Sequence, residues 1–87
     1  MASYRVLIKA SAAKELEALP NKKIRQRLVE RIRALAGDPR PAGIEKLSGY
    51  HDRYRARQGV YRVVYSVSDQ ELLVYVIKVG HRKDVYR

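Results

Sequence analysis

The sequence predicts a small α+β domain in which two helices cover one face of an antiparallel sheet. Three observations carry this. Ile24, Leu28, Ile32 and Leu35 recur at spacings of four, four and three, the stripe of an amphipathic helix. Three β-rich runs with period-two alternation fill the second half, joined by connections of two and four residues. A further alternating run precedes the helices, so the order is strand, helix, helix, then three strands.

In chain order, "YRVLIKA" over residues 4–10 alternates and predicts the first strand. Ser11 is placed to cap a helix over "AAKELEALP", and Pro20 and Asn21 mark a corner. "KKIRQRLVERIRALAG" follows as the amphipathic helix, with Gln26, Arg27, Glu30 and Arg33 pointing away from its apolar stripe. Gly37 is a natural stop beyond its end, and Asp38-Pro39 cannot continue it. "PRPAGIEKLSG" over residues 39–49 reads as a loop. Strands over residues 50–57, 60–67 and 72–79 then form a meander of hairpins, with Gln58-Gly59 as the first tight turn.

A chain of 87 residues allows one domain, here residues 1–87, and 46% hydrophobic content suits a folded core. The absence of cysteine excludes a disulfide framework and a Cys-based zinc site, and suits a reducing cytoplasm. No apolar run approaches the roughly 18 residues of a membrane span, and "MASYRVLIKA" lacks the apolar core of a signal peptide. The net charge is +10, with ten basic and four acidic side chains in residues 1–40 and nine and five in residues 41–87. An excess spread over the whole domain points to a polyanionic partner, nucleic acid first.

The stretch "YRARQGVYRVVYS" over residues 54–66 concentrates that charge. It holds Arg55, Arg57 and Arg62 and no carboxylate. Residues two apart share a face of a strand. Arg53, Arg55 and Arg57 therefore lie on one face, and Tyr54 and Ala56 on the other. With Tyr54, Ala56, Tyr61, Val63 and Tyr65 under the helices, the arginines gather on the open face. Their mutual repulsion is an argument for an anionic ligand that completes the site.

The usual catalytic sets are missing. There is no Cys nucleophile, no H-E-x-x-H pattern, no Gly-rich phosphate loop, and only two histidines, His51 and His81, which read as structural or peripheral. No metal and no cofactor is expected. The ending "GHRKDVYR" adds Arg82, Lys83, Tyr86 and Arg87. A tyrosine titrates near 10 in isolation, and positive neighbours lower that value, so Tyr86 is a candidate general base. It is equally a candidate for stacking on a nucleobase. Lys22, Lys23, Arg25 and Arg27 on the second helix are candidates for tracking RNA phosphate, or simply a solvated face.

The hairpin "YRARQGVYRVVYS", the ending "VYVIKVGHRKDVYR" and the preceding α-hairpin resemble the RelE/ParE toxin superfamily over nearly the whole chain. The resemblance to RelE-type members implies a ribosome-dependent endoribonuclease that cleaves mRNA in the ribosomal A site. It implies a cognate antitoxin as partner, expected to be acidic or amphipathic. It carries a basic pair to Arg55 and Arg57, an arginine of the next strand to Arg62, an arginine after the last strand to Arg82, and a C-terminal tyrosine to Tyr86. RelE relatives carry Lys in the pair. Arginine keeps the charge and grips phosphate bidentately, but it stays protonated, which leaves Tyr86 as the better base. The implied reaction is attack of a 2′-OH on the adjacent phosphate, giving a 2′,3′-cyclic end, with no metal required. ParE-like members share the fold, poison DNA gyrase and do not need this set, which makes gyrase inhibition the rival reading.

Overall fold

A computed structural model describes residues 3–83. In order they form β1 (Arg5–Ile8), α1 (Ala10–Glu17), α2 (Lys22–Ala34), β2 (Glu45–Lys46), β3 (Arg53–Gln58), β4 (Tyr61–Ser68) and β5 (Leu73–His81). The five strands make one sheet in the order β1-β5-β4-β3-β2. The meander β3-β4-β5 is antiparallel, and β1 lies parallel to β5, with Arg5 across from Leu73 and Ile8 across from Val76. The sheet is therefore mixed, because the two helices return the chain to the far edge of the sheet.

The passage from β1 to α1 takes place within one residue. The Lys9 N–H donates to Val76 O at 2.9 Å as the last rung on β5, while its carbonyl accepts from Ala13 N–H at 2.9 Å as the first turn of the helix. The expected Ser11 cap is thus displaced: Lys9 holds the cap position with no side-chain bond, and Ser11 is already helical. At the next corner Asn21 caps α2 through its side-chain oxygen, which accepts from Ile24 N–H at 3.1 Å. The α2 end also differs from expectation, since Gly37 is not among the left-handed glycines. Instead the last turn tightens through three i→i−3 bonds, from the amides of Leu35, Ala36 and Gly37 to the carbonyls of Ile32, Arg33 and Ala34.

Both helices pack on one face of the sheet. Ala12, Leu16 and Leu19 from the first helix region and Leu28, Ile32 and Leu35 from the second cover Ala56, Val63, Tyr65, Val67, Val74, Val76 and Val79. Each fully buried branched side chain among them contributes about 1.5–3 kcal/mol. Ile24, Tyr54 and Tyr61 pack against this core from its margin. At its centre Tyr65 is fully buried and donates its hydroxyl to Pro39 O at 2.8 Å.

Two irregularities shape the sheet. The hairpin turn is one residue later than expected: Gln58 pairs with Tyr61, leaving Gly59 and Val60 as the turn, with Gly59 at φ +62°. On β5 the register slips, since Val64 faces Lys78 while Tyr65 faces Val76, and Ile77 is the extra residue. The slip changes the phase of burial, so Val74 and Val76 are followed in the core by Val79. Where β1 has ended, the Glu15 carboxylate takes its place at the edge of β5. It accepts from Val79 N–H at 3.1 Å and from Lys78 Nζ at 2.9 Å.

The segment over residues 39–49 is anchored rather than loose. Arg40 holds Asp69 with two bonds of 3.0 Å and donates from Nε to the Tyr54 hydroxyl at 2.9 Å, while Tyr4 donates to Asp69 at 2.6 Å. Bonding by Arg40 first, then Tyr4, keeps the Asp69 carboxyl below its ordinary pKa. The same segment contains β2, a strand the sequence reading assigned to loop.

Candidate nucleic-acid interface

The face of the sheet opposite the helices carries the arginines. Directly opposed residues in an antiparallel ladder share a face. Arg57 opposes Arg62, which opposes Gly80, giving one row across β3, β4 and β5. In the next row Glu45 opposes Arg55, Arg55 opposes Val64, and Val64 opposes Lys78.

Arg82 joins this end of the sheet through its backbone, its N–H donating to Val60 O at 2.8 Å. That bond sets Arg82 beside the hairpin turn, where the Arg57–Arg62 row lies. Lys83 follows in a turn closed by its N–H on His81 Nδ1 at 3.2 Å. The His81 ring meets Tyr61 edge-on with centroids 5.9 Å apart, a packing role. Tyr86 and Arg87 lie outside the described residues.

Burial differs from what an open face suggests. Arg57 is exposed, but Arg55 and Arg62 are only 8% and 7% exposed. Among the described residues the enclosed Arg62 Nε has no hydrogen-bond partner. Neither is Arg55 alone with like charges, because Glu45 bonds its guanidinium and lies 3.3 Å from Arg57. Those bonds from Arg55, then the fields of Arg57 and Arg62, hold the Glu45 carboxyl below its ordinary pKa. Glu45 is the site residue missed in the sequence. It stands eight residues before Arg53 in a Pro- and Gly-rich stretch, and only the ladder brings it to the arginines.

The basic residues of α2 form a separate surface. Lys22, Lys23 and Arg27 are exposed on the helical layer, on the other side of the sheet from the arginine row. Arg25 is turned to α1, its Nη1 donating to Glu17 O at 3.4 Å and Leu19 O at 3.5 Å, where it offsets the negative helix end. Among the described residues no cluster of His, Cys, Asp or Glu could hold a metal ion, and no helix is long and apolar enough to cross a membrane.

Two helices thus lie on one face of a mixed sheet, with arginines across the other. The archaeal RelE of Pyrococcus horikoshii, solved as a RelE–RelB complex, superposes with a TM-score of 0.82 at 36% identity, covering 94% of this chain and 98% of that one. The isolated Escherichia coli RelE toxin superposes with a TM-score of 0.78 at 30% identity, covering 98% and 92%. In sequence, toxin RelE of Mycobacterium tuberculosis is 35% identical over 85 residues, which is 97% of this chain and 87% of that protein. The family model described as "ParE toxin of type II toxin-antitoxin system, parDE" matches residues 6–86. The chain belongs to the RelE/ParE superfamily of type II toxin–antitoxin toxins.

Proposed function

We propose that this toxin is a RelE-type endoribonuclease that cleaves mRNA in the ribosomal A site and so stops translation in the cytoplasm. The observation that supports the reading is the cross-strand row of Arg57 and Arg62, with Arg55 in the adjoining row and the Arg82 backbone bonded beside the hairpin turn. A gyrase-binding module has no need of such a set. The RelE names of the similar proteins support the same branch.

In the proposed reaction the 2′-oxygen of the nucleotide before the cut attacks its own 3′-phosphate. The new O–P bond closes a 2′,3′-cyclic phosphate as the bond to the 5′-oxygen of the next nucleotide breaks. Tyr86 accepts the 2′-OH proton, and the leaving 5′-oxygen takes one up from solvent. Arg62 and Arg82 stabilise the charge that builds on the phosphate oxygens, and Arg57 holds the backbone. Arg55, bound to Glu45, orients the row and contributes its field. The ribosome supplies the alignment of the 2′-OH, so naked RNA is a poor substrate. Lys83 and Arg87 extend the contact at the same end, and the exposed Lys22, Lys23 and Arg27 track rRNA phosphate from the helical side, while Arg25 stays on the carbonyls of Glu17 and Leu19.

The toxin is held inactive by a cognate antitoxin, as the RelB complexes of its relatives suggest. Its ligand surface carries an excess of positive charge, which an acidic segment would neutralise.

The second reading, gyrase inhibition, is favoured by the ParE description of the matching family model. A reconstituted translation reaction separates the two. Breaks placed by codon in ribosome-bound message, mapped by primer extension, support the endoribonuclease. Gyrase-dependent DNA breaks with intact message support the rival.

A further inference from the structure

Beside the arginine row lies a cleft of about 680 Å³ that the reaction above does not use. Its lining includes the apolar Val64, Ile77 and Leu47 together with Tyr50 and Arg53. Tyr50 is 49% exposed. The Arg53 guanidinium stacks on that ring, 4.3 Å from its centroid. Together they form a flat, cationic shelf. Arg55 belongs both to the cleft wall and to the basic face. Rows two residues apart on a strand are separated by about 7 Å, so Arg55 lies one step and Arg53 two steps, about 14 Å, along the sheet from the Arg57–Arg62 row.

Each feature answers to the same ligand. A base offers a π-face to an aromatic ring or a guanidinium plane, and proteins that hold single strands combine such shelves with a basic track for the backbone. The volume falls within the range of small-ligand clefts. Glu45 on the wall does not oppose this, since its charge is already met by Arg55 and Arg57. Lys78 is likewise engaged, by Glu15.

We propose that this cleft is a nucleobase subsite: a base about two nucleotides from the scissile phosphate stacks on the Tyr50–Arg53 shelf while the backbone runs along the arginine row. The inference rests on the RNA-cleaving reading for its choice of strand, but it is tested by binding alone. The probes are a single-stranded RNA hexamer and the same ribose-phosphate chain without bases, titrated at one fixed salt concentration because the electrostatic contribution depends on it. The backbone contacts are common to both probes, so their ratio isolates the bases. The intact hexamer is expected to bind the parent protein between about fivefold and 150-fold more tightly than the abasic chain. Tyr50→Ala removes most of that ratio, and Tyr50→Phe keeps it. Amide shifts on adding the hexamer centre on residues 47–53 in the parent protein. Equal binding of the two probes by the parent, or an unchanged ratio in Tyr50→Ala, means that the shelf is only a surface packing contact and overturns the proposal. Failure of mRNA cleavage on ribosomes with the base preference intact would instead overturn the endoribonuclease reading and leave the subsite standing.

Discussion

Glu45 stands directly across from Arg55 in the β2–β3 ladder, and its carboxylate bonds the Arg55 guanidinium. The proposed phosphate site thus contains a carboxylate of its own. Arg55 is buried, and a buried cation is tolerated when a partner meets it. Glu45 supplies that partner from a strand of two residues.

The first prediction concerns acid. The folded pKa of Glu45 lies below its unfolded value, so the stabilisation it gives is complete above about pH 4.3 and is lost as pH falls through the folded value. Asp69 shifts in the same direction, held down by Arg40. A comparison of Glu45→Gln with the parent isolates the Glu45 share. The variant is expected to melt lower than the parent at pH 7, with the gap closing as the pH is lowered below 4. A constant gap in melting temperature from pH 7 to pH 3 would show that the Arg55 contact carries no linked charge.

The strands β3, β4 and β5 and the stripe on α2 were legible because each repeats its pattern over several turns or alternations. Leu28, Ile32 and Leu35 are buried as their spacing demands, and Ala56, Val63 and Tyr65 lie under the helices. The arginine face followed from the same alternation. What the sequence hid was short or non-local. Two residues, Glu45 and Lys46, cannot show a period, and proline and glycine around them signal a loop. The bulge at Ile77 leaves no mark, because an extra residue is visible only against its partner strand. The start of α1 went astray because the ladder bond of Lys9 outweighed the capping preference of Ser11. The burial of Arg55 and Arg62 was missed because alternation reports which face a side chain takes and says nothing of how deep it sits.

The second prediction follows from that burial. Arg62→Ala removes a long, enclosed side chain and mixes a packing defect with any loss of function. Arg62→Met keeps most of the volume and removes the charge. Among the described residues Arg62 has no ion pair, and Arg57 opposes it directly with like charge. The Met variant is therefore expected to melt at or above the parental temperature, read by circular dichroism. Its cleavage of ribosome-bound message falls by about 10²–10³, the usual effect of removing one transition-state donor. Retained cleavage in a folded Met variant takes Arg62 out of the site.

The third prediction tests the anchor of the core. Burial pushes the Tyr65 hydroxyl up to about 12, and it is bonded to Pro39 O. The folded pKa exceeds the unfolded value near 10, so this contribution is full below pH 10 and is lost as pH rises toward 12. Tyr65→Phe leaves the Pro39 carbonyl without its donor in the interior and is expected to cost about 1–3 kcal/mol in denaturant unfolding at pH 7. The variant also loses the component of alkaline destabilisation seen in the parent between pH 10 and pH 12. Identical stability of the two proteins at pH 7 would mean that water replaces the hydroxyl at Pro39.

The fourth prediction falls on Tyr86, which the described residues do not include and whose role rests on sequence. No histidine is set beside the arginine row: His81 packs on Tyr61 and His51 lies in the turn before β3. Arg82 and Arg87 flank Tyr86 in sequence, and positive neighbours favour the phenolate. As general base, Tyr86 would make the single-turnover rate rise with pH until its phenol is ionised. Tyr86→Phe keeps the ring and removes the proton acceptor, so the rate on ribosome-bound message is expected to fall by about 10² or more and to lose that rise. Ribosome binding by the Phe variant stays close to the parent's. A stacking role gives the opposite order, with Phe active and Ala inactive. Parental single-turnover cleavage by Tyr86→Phe at every pH would remove the tyrosine from proton transfer and leave the arginines, with the ribosome's alignment of the 2′-OH, as the source of the rate.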